Sequence, residues 1–221
     1  MWASLPVNPK NTAKLNPEGL YESDLLTITS DARMEKIPEL FHSQGTDPGA
    51  QSGQGGPVEA VFWVEETMTQ WRIRGHAVVI GPDIDTEAGS ETRSALQARM
   101  RHISSSASSS ALPDAQNDWS FSRELTAHFG NLSPGMRGTF RSPPPGTPLT
   151  EGQKKEELGL GQKVEDLEDG VARENFRVVV VVPEEVDRVD LSDPAEGKRW
   201  NYELRDGGME TSTWKITELW P

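Results

Sequence analysis

The chain has 221 residues, no cysteine, and a formal net charge of −13 from 22 basic and 35 acidic side chains. Without cysteine there are no disulfides, no thiolate-bound zinc, no iron–sulfur cluster and no thiol catalysis. The negative charge works against nucleic acid and anionic lipid, whose phosphates are held by Lys and Arg. Only 34% of residues are hydrophobic, and 20 Gly with 16 Pro break the pattern often, which fits one domain with a modest core and long loops. No apolar run approaches the ~20 residues of a membrane helix. The opening Met1-Trp2-Ala3-Ser4-Leu5-Pro6 lacks a basic region and an apolar core, so it does not read as a secretory signal. A soluble, cytoplasmic protein is expected.

Residues 1–20, broken by Pro6, Pro9 and Pro17, read as irregular. Leu25 to Thr29 is a short β-branched run and predicts a strand. Ser30 and Asp31 are cap-type residues before a short helix over Arg33 to Phe41, with Pro38 limiting its length. Residues 43–57 are Ser/Gly/Gln-rich and read as a flexible loop. Val58 to Val64 and Thr69 to Ile80 predict an antiparallel hairpin turning at Glu66-Thr67. On its second strand Trp71, Ile73 and Gly75 alternate with Gln70, Arg72, Arg74 and His76.

A surface helix is expected over 85–103, ended by the low-complexity Ser104–Ser110 stretch, and another over Trp119 to Phe129 with Ser120 or Asp118 as cap. Ser133-Pro134 suits a further helix start. Pro143-Pro144-Pro145-Gly146 stops it, and the charged residues 147–172 read as mobile, as does 104–117. Phe176 to Val182 carries five consecutive Val and predicts a strand buried on both faces. A half-exposed strand over Val186 to Leu191 and a closing hairpin, Trp200 to Arg205 with Trp214 to Trp220, follow. The expected architecture is β-rich α+β: an antiparallel barrel or curled sheet with helices at its rim. Residues 21–221 form the domain.

No protein-borne catalytic set stands out. His42, His76, His102 and His128 lie in different elements, and there is no Gly-x-Ser-x-Gly elbow, Walker loop or dinucleotide-binding glycine motif. Any reaction would therefore rest on a bound organic cofactor. The segment Thr29 to Lys36 joins a strand to a helix start, where free N–H groups, the Ser30 hydroxyl, Arg33 and Lys36 could hold a phosphate. The commoner use of the same residues is a Ser cap beside two solvated cations. Gln70 could hydrogen-bond a planar heterocycle or only line a solvated strand face. Arg199 could meet a phosphate or a flavin carbonyl, or be a surface arginine.

Taken together, several segments resemble one family. Leu25-Leu26-Thr27-Ile28-Thr29-Ser30-Asp31-Ala32-Arg33-Met34-Glu35-Lys36 is similar to the strand–turn–helix phosphate motif of the pyridoxamine 5'-phosphate oxidase-like, FMN-binding split-barrel proteins. Thr69-Gln70-Trp71-Arg72-Ile73-Arg74-Gly75 resembles their Gln-aromatic-Arg-hydrophobic-x-Gly strand. Leu132 to Phe140 with Pro143–Gly146, Asn175-Phe176-Arg177, Pro183 to Leu191, Arg199-Trp200 and Trp214 to Pro221 resemble their later segments in the same order. The resemblance implies a split barrel, FMN as cofactor, a flavin-dependent oxidoreductase activity, and a homodimer with the flavin at its interface. Ser30 and Lys36 match phosphate-binding positions, with Arg33 between them; Gln70 matches the isoalloxazine contact and Arg199 a C-terminal flavin contact.

The chain departs from the family in three ways. About two strands that precede the motif in the family have no counterpart, so a shortened barrel, incomplete at the N-terminus and with unpaired, association-prone edges, is expected. Met34 stands where the family places Ser. Ala195 to Arg199 lacks the family's Arg-x-His, which puts pyridoxamine phosphate as substrate in doubt. A non-catalytic remnant or interaction module that binds no flavin is the alternative.

Overall fold

The computed structural model describes residues 8–47, 49–102, 119–148, 161–193, 195–205 and 213–221. Two of the loops expected to be mobile lie wholly (104–117) or partly (147–172) outside the described residues, as does the turn at Asp206-Gly207-Gly208.

The strands are β1 (Tyr21–Glu22), β2 (Leu26–Asp31), β3 (Gly53–Val64), β4 (Thr69–Ile80), β5 (Arg101–His102), β6 (Phe176–Asp190), β7 (Lys198–Arg205) and β8 (Thr213–Leu219). The helices are α1 (Lys36–His42), α2 (Ser90–Gln97), α3 (Phe121–Asn131), α4 (Pro134–Thr139) and α5 (Gly170–Asn175). β1 and β5 form a small separate ladder; the other six strands form one antiparallel sheet in the order β3-β4-β6-β7-β8, with β2 also on β6. The expected β-rich, antiparallel fold with peripheral helices is found, and among the described residues the sheet is not closed: β2 and β3 each have one strand neighbour.

β6 organises the sheet. Its first half lies between β2 and β4, and its second half between β4 and β7. The sequence predicts two strands here, but Pro183-Glu184 is a bulge inside one 15-residue strand. Gly75 lies opposite it because a Cβ there would sit 1.9 Å from the Val182 carbonyl oxygen.

Side-chain alternation gives the sheet two faces. On one, Val78, Ile80, Val178 and Val180 pack under α2 and α3 with Leu96, Leu125, Phe129 and Phe176. On the other, Ala77, Val79 and Val179 pack against Ile37 and Phe41 of α1. The helix ends are fixed locally. Ser120 Oγ accepts from the Arg123 N–H, and Ser133 Oγ from the Met136 N–H with Pro134 at the first helical position. α2 is shorter than the 85–103 helix expected, because the chain enters β5 at Arg101.

The far ends of β3, β4 and β6, with β7 and β8, form a five-stranded wing. Of its residues (58–64, 69–74, 184–190, 198–205 and 213–219), only Thr69 and Asp187 are buried. On the α1 side the wing presents the cross-strand row Phe62–Trp71–Arg188–Trp200 and the row Ala60–Ile73–Val186–Tyr202–Ile216. The Arg188 guanidinium carbon lies 5.2 Å from the Trp71 ring centre and 4.9 Å from that of Trp200. The opposite side is polar, with Glu59 bridging Arg72 and Arg74 at 2.7 and 2.6 Å.

Candidate functional site

The five residues singled out from the sequence separate into two groups. Ser30 ends β2, where it pairs with Arg177 of β6. It is not a helix cap: α1 begins at Lys36, and its cap position is Glu35, which makes no side-chain cap bond. Ser30 is 5% exposed, and among the described residues its hydroxyl has only a long 3.4 Å contact to the Asp31 carbonyl and a 3.9 Å contact to the Met34 sulfur.

Arg33 is committed to the fold. Its Nε and Nη2 donate to the two carboxylate oxygens of Asp31 at 2.9 and 2.7 Å, Nη1 donates to the Ser142 carbonyl at 2.7 Å, and Nη2 also reaches the Phe140 carbonyl at 3.3 Å. The Asp31 hydrogen bond raises the Arg33 pKa further. The clamp ties the β2–α1 turn to the end of α4. Lys36 at the first position of α1 is exposed, and no hydrogen bond or ion pair among the described residues engages its amine.

The second group lies at the other end of the sheet. Gln70 and Arg199 both pair with Val189, so they stand on one cross-strand row, Trp63–Gln70–Val189–Arg199–Leu219. The Gln70 amide, half-buried, makes no side-chain hydrogen bond among the described residues. Arg199 donates from Nε to Asp187 Oδ2 at 2.9 Å and holds it again through Nη2 at 2.9 Å. That carboxylate is buried at 5% exposure.

Alternation puts the two groups on opposite faces. Ser30 shares the α1 side with Arg177 and Val179, whereas Gln70 shares the side of Val78 and Ile80. Along β6, Arg177 and Val189 are twelve residues apart, at most about 40 Å of strand at ~3.3 Å per residue. The two groups therefore lie toward opposite ends of β6 and on opposite faces of the sheet.

Sequence reasoning missed Arg177. It is 5% exposed at the head of the valine run, donates to the Glu174 and Phe176 carbonyls at 2.8 and 2.9 Å, and leaves Nε buried without a partner among the described residues. Burial lowers its pKa, opposed by Glu174, Asp83 and Asp31. An arginine opening an otherwise apolar strand was the available signal.

On α3, Glu124 and His128 are one turn apart and both buried. Burial raises Glu124 to about 7, although Asn16 donates to it at 2.7 Å, and burial lowers His128 to about 4. Among the described residues no cluster of three metal-ligating side chains occurs, and no helix is long and apolar enough to cross a membrane.

Residues 8–81 match the family model described as pyridoxamine 5'-phosphate oxidase, FMN-binding domain. An uncharacterized yeast protein, YGR017W of Saccharomyces cerevisiae, is 30% identical over 98 residues. That match takes in 44% of this chain and 33% of the yeast protein, so the chain spans about a third of this relative's length. Among solved structures, a pyridoxamine 5'-phosphate oxidase-related, FMN-binding protein from Nostoc punctiforme superposes with a TM-score of 0.57 at 18% identity, covering 90% of this chain and 75% of that one. The resemblance to the pyridoxamine 5'-phosphate oxidase-like, FMN-binding split-barrel proteins is thereby shown, in sequence over residues 8–81 and in fold over most of the chain.

Proposed function

We propose that the chain binds FMN as a cytoplasmic homodimer and acts as a flavin-dependent oxidoreductase. The carrying observation is the pair Ser30 and Lys36, inside the segment that matches the family, with the Lys36 amine uncommitted among the described residues. Lys36 and Ser30 would hold the phosphate, with Arg33 keeping the turn in shape rather than touching the ligand. Gln70 and Arg199, on the other face and at the other end of the sheet, would meet the ring of the flavin held by a second copy. The uncovered apolar face of the wing supports association. Bound FMN would supply hydride acceptance, and the protein position and electrostatics. The missing Arg-x-His before Arg199 argues for a substrate other than pyridoxamine phosphate.

The second reading is a split-barrel module without flavin. Met34 over the Ser30 hydroxyl and the engagement of both Arg33 and Arg199 favour it. Titrating the purified full chain with FMN, followed by flavin fluorescence and absorbance, decides between them. Saturable binding lost in Lys36→Glu, with unchanged circular dichroism, supports the first reading. No binding, or equal binding by Lys36→Glu, sinks the phosphate assignment.

A further inference from the structure

Residues 8–16 lie along α3, tied to it by three asparagines. The Asn8 N–H donates to Asn131 Oδ1 at 3.0 Å. Asn11 Nδ2 donates to the Ala127 carbonyl at 2.9 Å and to Asn131 Oδ1 at 2.8 Å. Asn16 Nδ2 donates to the Ser120 carbonyl at 2.8 Å and to Glu124 Oε1 at 2.7 Å, and its Oδ1 accepts from the Ser120 N–H at 2.9 Å. The segment therefore runs antiparallel to the helix, from Asn131 back to Ser120. Gly130 completes the seat, since a Cβ there would stand 2.1 Å from Asn11 Oδ1.

Nothing apolar secures this strap: of residues 8–16 only Asn16 is buried. Water can replace such hydrogen bonds at small net cost, so the strap can open locally while the packed core stays folded. Thr12 and Lys14 also form one wall of a cavity of about 630 Å³ beside Ser122 and Thr126 of α3. Opening the strap removes that wall.

Glu124 is the group that opening would rehydrate. Its side chain is buried, with the Asn16 amide on Oε1. Charged neighbours do not decide its state. Lys14 of the strap, Arg123 of α3, and Glu165, Asp166, Glu168 and Arg173 line the cavity, and none of them shifts it. His128, one turn along α3, is neutral above about pH 4. The amino terminus favours the ionised form, as the Asn16 bond does, and burial outweighs both.

We propose that residues 8–16 are a proton-gated strap, closed on α3 while Glu124 carries its proton and released, opening the cavity wall, when Glu124 ionises. The sign follows from linkage. Glu124 ionises at about 7 under the strap and near its ordinary 4.5 in water, so release becomes more favourable from about pH 4.5 to 7 and levels off above. The device is independent of the flavin reading, since flavin-free protein shows it.

The test is tryptic cleavage of the full chain after Lys10 and Lys14, both exposed on the strap, followed bond by bond by mass spectrometry. The ratio of wild-type to Glu124→Gln rates cancels the protease's own pH dependence and the titration of His128 and the amino terminus. It should rise about fifteenfold from pH 5.5 to 7 and less than about twofold from 7 to 8. Cleavage after Arg177, inside β6, should not follow. Gly130→Ala, which displaces Asn11, should speed strap cleavage at least tenfold at pH 5.5, and it keeps the test available if Glu124→Gln folds poorly. A constant ratio overturns the proposal, and so does a Gly130→Ala strap cut no faster than wild type. Cleavage after Arg177 rising in step overturns it as well, because the whole domain would then be unfolding.

Discussion

The two halves of the six-stranded sheet are built from the same strands yet stand in different surroundings. Near Phe176 the sheet is covered on both sides, and Val178, Val180, Ile80 and Val79 are fully or almost fully buried. Beyond the bulge at Pro183-Glu184, β4 and β6 continue into the wing, where nearly every side chain is half-exposed or exposed. The covered half folds on its own hydrophobic contacts. The wing is held by backbone ladders, the Trp71–Arg188–Trp200 stack and ion pairs, which stabilise less per residue than burial. Buried packing is thus concentrated at one end of the same strands, and Ser30 with Lys36 sits at that covered end while Gln70 and Arg199 sit on the wing.

The sharpest way to break this comparison is Phe176→Ala. Phe176 is fully buried, with ring centres of Phe129 and Phe140 at 5.1 and 5.2 Å. Its truncation is expected to cost about 3–5 kcal/mol, read by urea denaturation. A loss below about 1 kcal/mol would show that this half is not the stabilising core.

A second test uses pH. Glu124, raised to about 7 by burial, adds stability that is present below its unfolded pKa of about 4.5 and lost as pH rises through 7. His128, lowered to about 4, adds stability that is present above about 6.5 and lost as pH falls through 4. Between pH 4.5 and 6.5 the two slopes oppose each other, so the wild-type profile is expected to be nearly flat there. Glu124→Gln should expose the histidine slope, with stability falling by up to about 3 kcal/mol between pH 6.5 and 4. A Glu124→Gln profile as flat as wild type would rule out this balance.

In the wing, Arg199→Ala should leave the Asp187 carboxylate buried and unpaired, at a cost of about 1–3 kcal/mol, the 38% exposure of the arginine side chain keeping it in the lower part of that range. Thermal melts with Arg199→Lys as the conservative control would check it. An unchanged melting temperature would mean that the pair is merely a surface contact. The smallest effect is expected for Ile216→Ser, since Ile216 is 61% exposed. Below 0.5 kcal/mol is expected for a lone chain. A larger loss that grows with protein concentration would mean that a second copy covers the wing.

Much of the fold was legible because the patterns were strong. The valine run, the alternating Thr69 to Ile80 strand and the Ser120 and Ser133 caps all occur where the residues indicate. The misses have physical causes. Residues 53–57 read as loop because they are Gly- and Pro-rich, yet Gly53 and Gly55 lie in β3, where a Cβ would press on Phe41 and Thr46 or on Leu40 and Ala77. Those glycines let α1 lie close on the strand. Pro183 read as a strand end but occupies the bulge, where the ladder is already interrupted. Of the candidate site, residue types were legible and commitments were not. Nothing local announces that Asp31 takes up Arg33 or that Asp187, twelve residues away, takes up Arg199.

The bulge in β6 also constrains how this sequence can be inherited. Before it, even-numbered residues (Val178, Val180, Val182) face the α2 and α3 side; after it, odd-numbered ones (Glu185, Asp187, Val189) do. Loss of a single codon at Glu184 would only remove the bulge and leave Glu185 opposite Arg74, so the later side chains would keep their faces; loss of one residue after Glu185 would turn the residues beyond it to the opposite faces. Loss of one residue elsewhere in the strand would need a matching gain to restore the parity. Lineages carrying this strand are therefore expected to tolerate a change of one residue only at the bulge opposite Gly75.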